Sequence, residues 1–99
     1  MEIKKTINGE ITVLSLIGRL DTINAPKLQE AIGKEAESAT AIELDFTEVI
    51  CLLSAGLRVL LLCEKMTRAE GKTMKITNVS AEVMEVFQVT GLAGVLPIY

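Results

Sequence analysis

The chain has 99 residues, 49% of them hydrophobic, with a formal net charge of −3, two cysteines and no histidine. That length fits one compact domain, 1–99, and that apolar fraction a globular rather than a disordered chain. The acidic balance argues against nucleic acid or an anionic membrane surface as partner. The apolar run Val59–Cys63 is far too short to cross a bilayer, and the charged start MEIKKTINGEITV lacks a signal-peptide core. A cytoplasmic protein is the expectation.

In chain order, Glu2–Ile7 and Glu10–Ile17 read as strands joined by Asn8-Gly9, the favoured type I′ pair. Gly18–Ile23 reads as a loop. Asn24 is placed to cap a helix from Ala25-Pro26, on which Leu28, Ala31, Ile32 and Ala36 recur at helical spacing. Ala41–Phe46 is a short third strand, and Thr47–Leu53 a loop, unusually apolar for one. A second helix runs from Ser54 to about Ala69 and stops at Gly71; apolar around most of its girth, it should be the most buried. Lys72–Thr77 is a fourth strand. Ser80 caps a third helix with Val83, Val86 and Phe87 inward, Gly91 ends it, and Val95–Ile98 forms a last short strand or an extended tail.

A hairpin followed by alternating helices and strands predicts an α/β fold with a mixed, mostly parallel sheet. Strand-to-helix loops of such sheets gather at the carboxyl-terminal rim, where ligands bind. That spacing places Asp21, Ser54 and Asn78 on one edge.

Without histidine, Ser-His-Asp and Cys-His arrangements are impossible, as are imidazole metal sites. Lys65, three turns along the helix, is a poor base for Ser54. Asp21, Asp45 and Glu48 lie near the rim, but nothing in the pattern forms a pocket around them. No glycine loop has phosphate-binding spacing. Cys51 and Cys63 are not spaced as a metal site or redox pair and are expected to be reduced thiols. The expectation is a non-enzyme with no catalytic residue, metal or cofactor. Ser54 then has two readings. As a helix cap its hydroxyl would accept a backbone N–H, worth about 1 kcal/mol; alternatively, it is a substrate for another protein. Gly56 costs a helix up to about 1 kcal/mol relative to alanine, which implies close packing, by a partner's backbone or within the domain.

The segments GRLDTINAPKLQEAI, LDFTEVICLLSAGLRVLL and FQVTGLAGVLPIY resemble, in order and along nearly the whole chain, the bacterial anti-sigma factor antagonists built on a STAS domain. The resemblance implies a STAS fold with an N-terminal hairpin and packed helices. It implies an unphosphorylated form that binds an anti-sigma factor serine kinase and so frees a sigma factor, a phosphorylated form that lets go, and a serine phosphatase that resets it. Ser54 falls in the phosphorylation slot. Asp21, Asn24, Ala55, Gly56, Leu57 and Arg58 fall where the partner would bind. Leu53, Cys51 and Leu52 depart from the commonest residues before that serine. A different role implied for lone STAS domains is the accessory subunit of a bacterial lipid-transport ABC system, which binds its ATPase without phosphorylation.

Overall fold

Alternation of apolar residues decides which side of each strand meets the helices. The computed structural model describes residues Met1–Tyr99, in the order β1 (Glu2–Asn8), β2 (Ile11–Leu20), α1 (Ala25–Glu35), β3 (Ala41–Leu52), α2 (Ser54–Ala69), β4 (Thr73–Thr77) and α3 (Ala81–Val89). The four strands form one sheet in sequence order; β1 and β2 are antiparallel, and the β2–β3 and β3–β4 pairs are parallel. The mixed α/β fold expected above is the fold observed.

One sheet face carries Leu14, Leu16, Ile42, Leu44, Phe46 and Ile76, all buried. Against it pack Leu28 and Ile32 of α1, Leu57, Leu60 and Cys63 of α2, and Val83 and Phe87 of α3. The Phe46 and Phe87 ring centroids are 6.3 Å apart, which fastens α3 to β3. Each such side chain contributes about 1.5–3 kcal/mol by leaving water. On the other face Val13, Ser15, Glu43 and Asp45 are half-buried, and Lys4, Thr6 and Glu48 are exposed.

Several boundaries differ from expectation. The hairpin loop is Gly9-Glu10, because Asn8 still pairs with Ile11. Only Gly9 has a positive φ, +65°, so the turn follows the II′ pattern, with glycine first, rather than I′. Gly18–Leu20 and Thr47–Leu52 are strand rather than loop, and there the β2–β3 register shifts twice through bulges on β3. α2 is the most buried helix, as expected, with Gly56, Leu57, Val59, Leu60, Cys63, Glu64 and Thr67 buried, although Leu62 is exposed. Val86 is half-buried. Ser80 caps α3 as expected, its hydroxyl accepting the Val83 N–H at 3.2 Å. The tail lies beside β4: Ile76 N–H donates to the Pro97 carbonyl and Tyr99 N–H to that of Ile76.

Candidate functional site

The site is built where β2 and β3 end together. Leu20 and Leu52 are register partners, and the Leu53 N–H donates to the Leu20 carbonyl at 3.0 Å. The chain therefore leaves β2 at Asp21 and β3 at Leu53 side by side, which brings Asp21 and Ser54 to one rim.

Asp21 closes the turn into α1. Its Oδ1 accepts the N–H groups of Ile23 at 3.1 Å and Asn24 at 3.0 Å, the bonding of an Asx turn. Its backbone carbonyl accepts the Ala25 N–H at 2.8 Å. Arg19 Nε stands 3.8 Å from Asp21 Oδ2. Asn24 does not cap α1, contrary to expectation. Because Asp21 has already turned the chain, Asn24 sits at φ −91°, ψ −18°, near-helical rather than the extended geometry of a cap. Its amide instead donates to the Arg19 carbonyl at 3.0 Å, and its Oδ1 accepts from the N-terminal ammonium at 3.4 Å.

Ser54 is not a cap either. β3 persists to Leu52, so a single residue, Leu53, reverses the chain; it is extended (φ −108°, ψ 171°), takes the N-cap position and has no side chain to fill that role. Its carbonyl accepts the Gly56 N–H at 2.9 Å and the Leu57 N–H at 3.1 Å. Ser54 is thus the first helical residue, exposed, with a hydroxyl that bonds to nothing in the chain. The N–H groups of Ser54 and Ala55 lack an intrahelical acceptor, as the first turn of a helix dictates.

Gly56 explains how closely α2 approaches. A Cβ there would lie 2.6 Å from Leu20 Cγ and 3.0 Å from both the Leu20 carbonyl oxygen and Leu52 Cδ1. Of the two explanations for a glycine here, the structure supports packing within the domain. Gly56 and Leu57 are buried and present no side chain outward, so they hold the site from beneath. Ala55, Asp21 and Asn24 are half-buried, and Arg58, one turn after Ser54, is exposed.

Three apolar side chains at this end escaped the sequence reading: Ile23 is 85% exposed, Ile50 71% and Leu53 44%. Ile50 is the extra residue of a bulge, since Gly18 pairs with Val49 and Arg19 with Cys51. The apolar character of Thr47–Leu53 was the available signal. Asn78, by contrast, does not join this rim. β4 ends at Thr77, opposite Asp45, and Asn78 Nδ2 donates to Asp45 Oδ1 at 3.0 Å. β3 then carries the chain about 20 Å further before Ser54. Asp45 also accepts the Thr47 N–H at 3.0 Å and hydroxyl at 2.6 Å. Burial alone would raise its pKa; the bonds from Thr47 and Asn78 outweigh it and hold the carboxyl below its ordinary value.

Cys63 is buried, which pushes its thiol up to about 11, and Cys51 is half-buried; both are free. The four surface cavities, the largest about 560 Å³, are lined by other residues, so Asp21 and Ser54 lie on an open surface suited to a macromolecule. No group of three or more Cys, Asp or Glu side chains is arranged to hold a metal ion. No helix is long and apolar enough to cross a membrane.

A family model described as "Mlab, STAS domain" matches residues 3–97. The anti-sigma-B factor antagonist of Bacillus subtilis is 28% identical over 85 residues, 86% of this chain and 78% of that protein. Among solved structures, the anti-sigma factor antagonist SpoIIAA in its unphosphorylated form superposes with a TM-score of 0.82 at 22% identity, over 99% of this chain and 86% of its own. The Bacillus cell fate determinant SpoIIAA in the phosphorylated form gives a TM-score of 0.76 at 21% identity, over 99% and 89%.

Proposed function

The chain belongs to the STAS domain family, and from that premise we propose that it is an anti-sigma factor antagonist switched by phosphorylation of Ser54. The unphosphorylated form docks on an anti-sigma factor that is also a serine kinase, and frees the sigma factor. The phosphorylated form lets go, and a serine phosphatase restores it. The observation that carries this reading is the setting of Ser54: exposed, unbonded, first in α2 and flanked by the exposed apolar side chains Ile23, Ile50 and Leu53. The similar protein of Bacillus subtilis is an anti-sigma-B factor antagonist, which supports the antagonist part of this reading.

The physical logic is a change of charge on a fixed shape. A phosphate adds about −1.5 to −2 charge at neutral pH. The free N–H groups of Ser54 and Ala55 and the helix dipole tolerate that charge, so the domain keeps its fold. A partner seated on Ile23, Ile50 and Leu53 would instead bury an anion beside the Asp21 carboxylate, losing affinity through desolvation and repulsion. A penalty of about 2.8 kcal/mol weakens binding about a hundredfold.

Incubation with the cognate anti-sigma factor kinase and ATP should place one phosphate on Ser54, read by mass spectrometry. Ser54→Ala should block it and keep binding; Ser54→Asp should weaken binding in a titration while the fold survives. Phosphate on another residue, or unchanged affinity of Ser54→Asp, would sink the switch and leave the lipid-transport accessory role, with constitutive binding to an ATPase subunit.

A further inference from the structure

Arg58 is exposed and uncommitted. The ion pairs of the chain join Lys5 to Glu35, Arg19 to Asp21, Arg68 to Glu64 and Lys75 to Glu43, and none includes Arg58. Side chains of a helix lean toward its N-terminus, over the residues three and four positions back. For Arg58 those are Ala55 and Ser54, and the residues three and four ahead are Leu61 and Leu62. The Ser54 hydroxyl is thus the one polar side-chain group among its neighbours on α2. Residues four apart on a helix have Cβ atoms about 5–6 Å apart, well within the reach of an arginine.

We infer that Arg58 clamps a phosphate carried by Ser54 of the same chain, so that phosphorylation withdraws a cation from the docking surface as well as adding an anion to it. The inference rests on the reading of Ser54 as the phosphorylated residue. The planar guanidinium can meet two phosphate oxygens at once. An anion four residues N-terminal to a cation is the favourable order on a helix. The free N–H groups of Ser54 and Ala55 are left for the remaining oxygen.

The other charged groups at this rim do not replace Arg58. Arg19 Nε stands 3.8 Å from Asp21 Oδ2, and the N-terminal ammonium donates to Asn24 Oδ1 at 3.4 Å. The Asp21 carboxylate opposes the phosphate, which Arg58 offsets. On α2 itself, Lys65 lies three turns along, and Arg68 is paired with Glu64 at 2.8 Å. In the unmodified protein the Arg58 guanidinium is open to an acidic group of a docked protein. Once clamped it is occupied, so a docking protein loses an ion pair at the place where it meets the phosphate.

Phosphoserine placed at position 54 through an expanded genetic code tests the clamp without a kinase, so failure of a kinase to modify Ser54 bears on the switch alone. Urea melts and phosphorus NMR compare the serine and phosphoserine forms of the parent, Arg58→Gln, Arg58→Lys and Lys65→Gln. Phosphorylation should favour the folded state about threefold more in the parent than in Arg58→Gln. Arg58→Lys, which keeps the charge without the fork, should retain part of that gain, and Lys65→Gln all of it. The second pKa of the phosphate, ordinarily about 6, should rise by about 0.5 in Arg58→Gln and stay in place in Lys65→Gln, because Asp21, Arg19 and the N-terminal ammonium are common to all four proteins. The Arg58 Nε–H resonance of the parent should shift on phosphorylation. An equal effect of phosphorylation on the parent and Arg58→Gln, or equal phosphate pKa values in Arg58→Gln and Lys65→Gln, would overturn the clamp.

Discussion

Gly56→Ala sets two opposed effects against each other. In a helix interior alanine is favoured over glycine by about 1 kcal/mol, so propensity alone predicts a more stable protein. Packing predicts the reverse. The added Cβ meets Leu20 Cγ at 2.6 Å and the Leu20 carbonyl oxygen at 3.0 Å, a branch carbon and a backbone atom rather than the tip of a flexible side chain. Overpacking of a filled core costs about 1–3 kcal/mol, and these partners place the cost at the upper end. The net effect is a loss of about 2 kcal/mol, which lowers Tm by about 8–15 °C for a domain of this size. Gly33→Ala supplies the control. Gly33 lies in α1, and nothing stands within 4 Å of its added Cβ, so only propensity acts. That variant should gain about 0.5–1 kcal/mol and melt a few degrees higher. Thermal and urea melts followed by circular dichroism compare the three proteins. A Gly56→Ala protein as stable as the parent, or more so, would refute the contact between α2 and β2 as the reason for the glycine and return the explanation to a partner's approach.

Other expectations concern thiols, acid and the turn at Asp21. With its thiol pushed up to about 11 by burial, Cys63 should resist a thiol reagent at pH 8 until the protein unfolds, while half-buried Cys51 should react in the native state. Asp45 has a folded pKa below its unfolded one, so its contribution to stability is full above the ordinary carboxylate range and is lost as pH falls through the folded value. Asp45→Asn should therefore flatten the acid limb of the stability curve below about pH 4, measured by urea melts. Asp21→Ala removes the acceptor for Ile23 and Asn24 and should cost about 1 kcal/mol, whereas Asp21→Asn keeps an oxygen in place and should cost little. Comparing partner affinity for those two variants separates the turn from the charge.

The hairpin, the helices and β4 were legible from local punctuation around apolar runs: Asn8-Gly9 between the first two strands, Asn24-Ala25-Pro26, Ser54 and Ser80 at the helix starts, and Gly71 and Gly91 after the helix ends. β3 was not. Buried Phe46, Val49 and Leu52 are spaced by three, and a period-2 reading sees no strand there. The bulges are the cause: each adds a residue to β3 that β2 does not match, and alternation resumes out of phase. Gly18 and Arg19 hid the end of β2 in a similar way, since neither carries an apolar side chain. The start of α2 was legible, but its cap chemistry was not, because the cap position depends on where β3 ends. Asn24 failed for a tertiary reason: Asp21 supplies the turn that Asn24 was expected to make.

The irregularity that concealed β3 is also what makes the candidate site. β4 stops opposite Asp45, so from Phe46 onward β3 has only β2 beside it in the sheet. A regular strand would have kept Ile50 paired and in phase; the bulge turns it out to solvent beside Leu53. The overhang would be a poor platform if it moved. It is tied to β2 at two further points: the Leu53 N–H to the Leu20 carbonyl, and the contact of Gly56 with Leu20 and Leu52. Each tie uses backbone or buried atoms and neither uses the Ser54 hydroxyl. A group added to that hydroxyl therefore has no structural bond to break, and its effect falls on whatever docks over it.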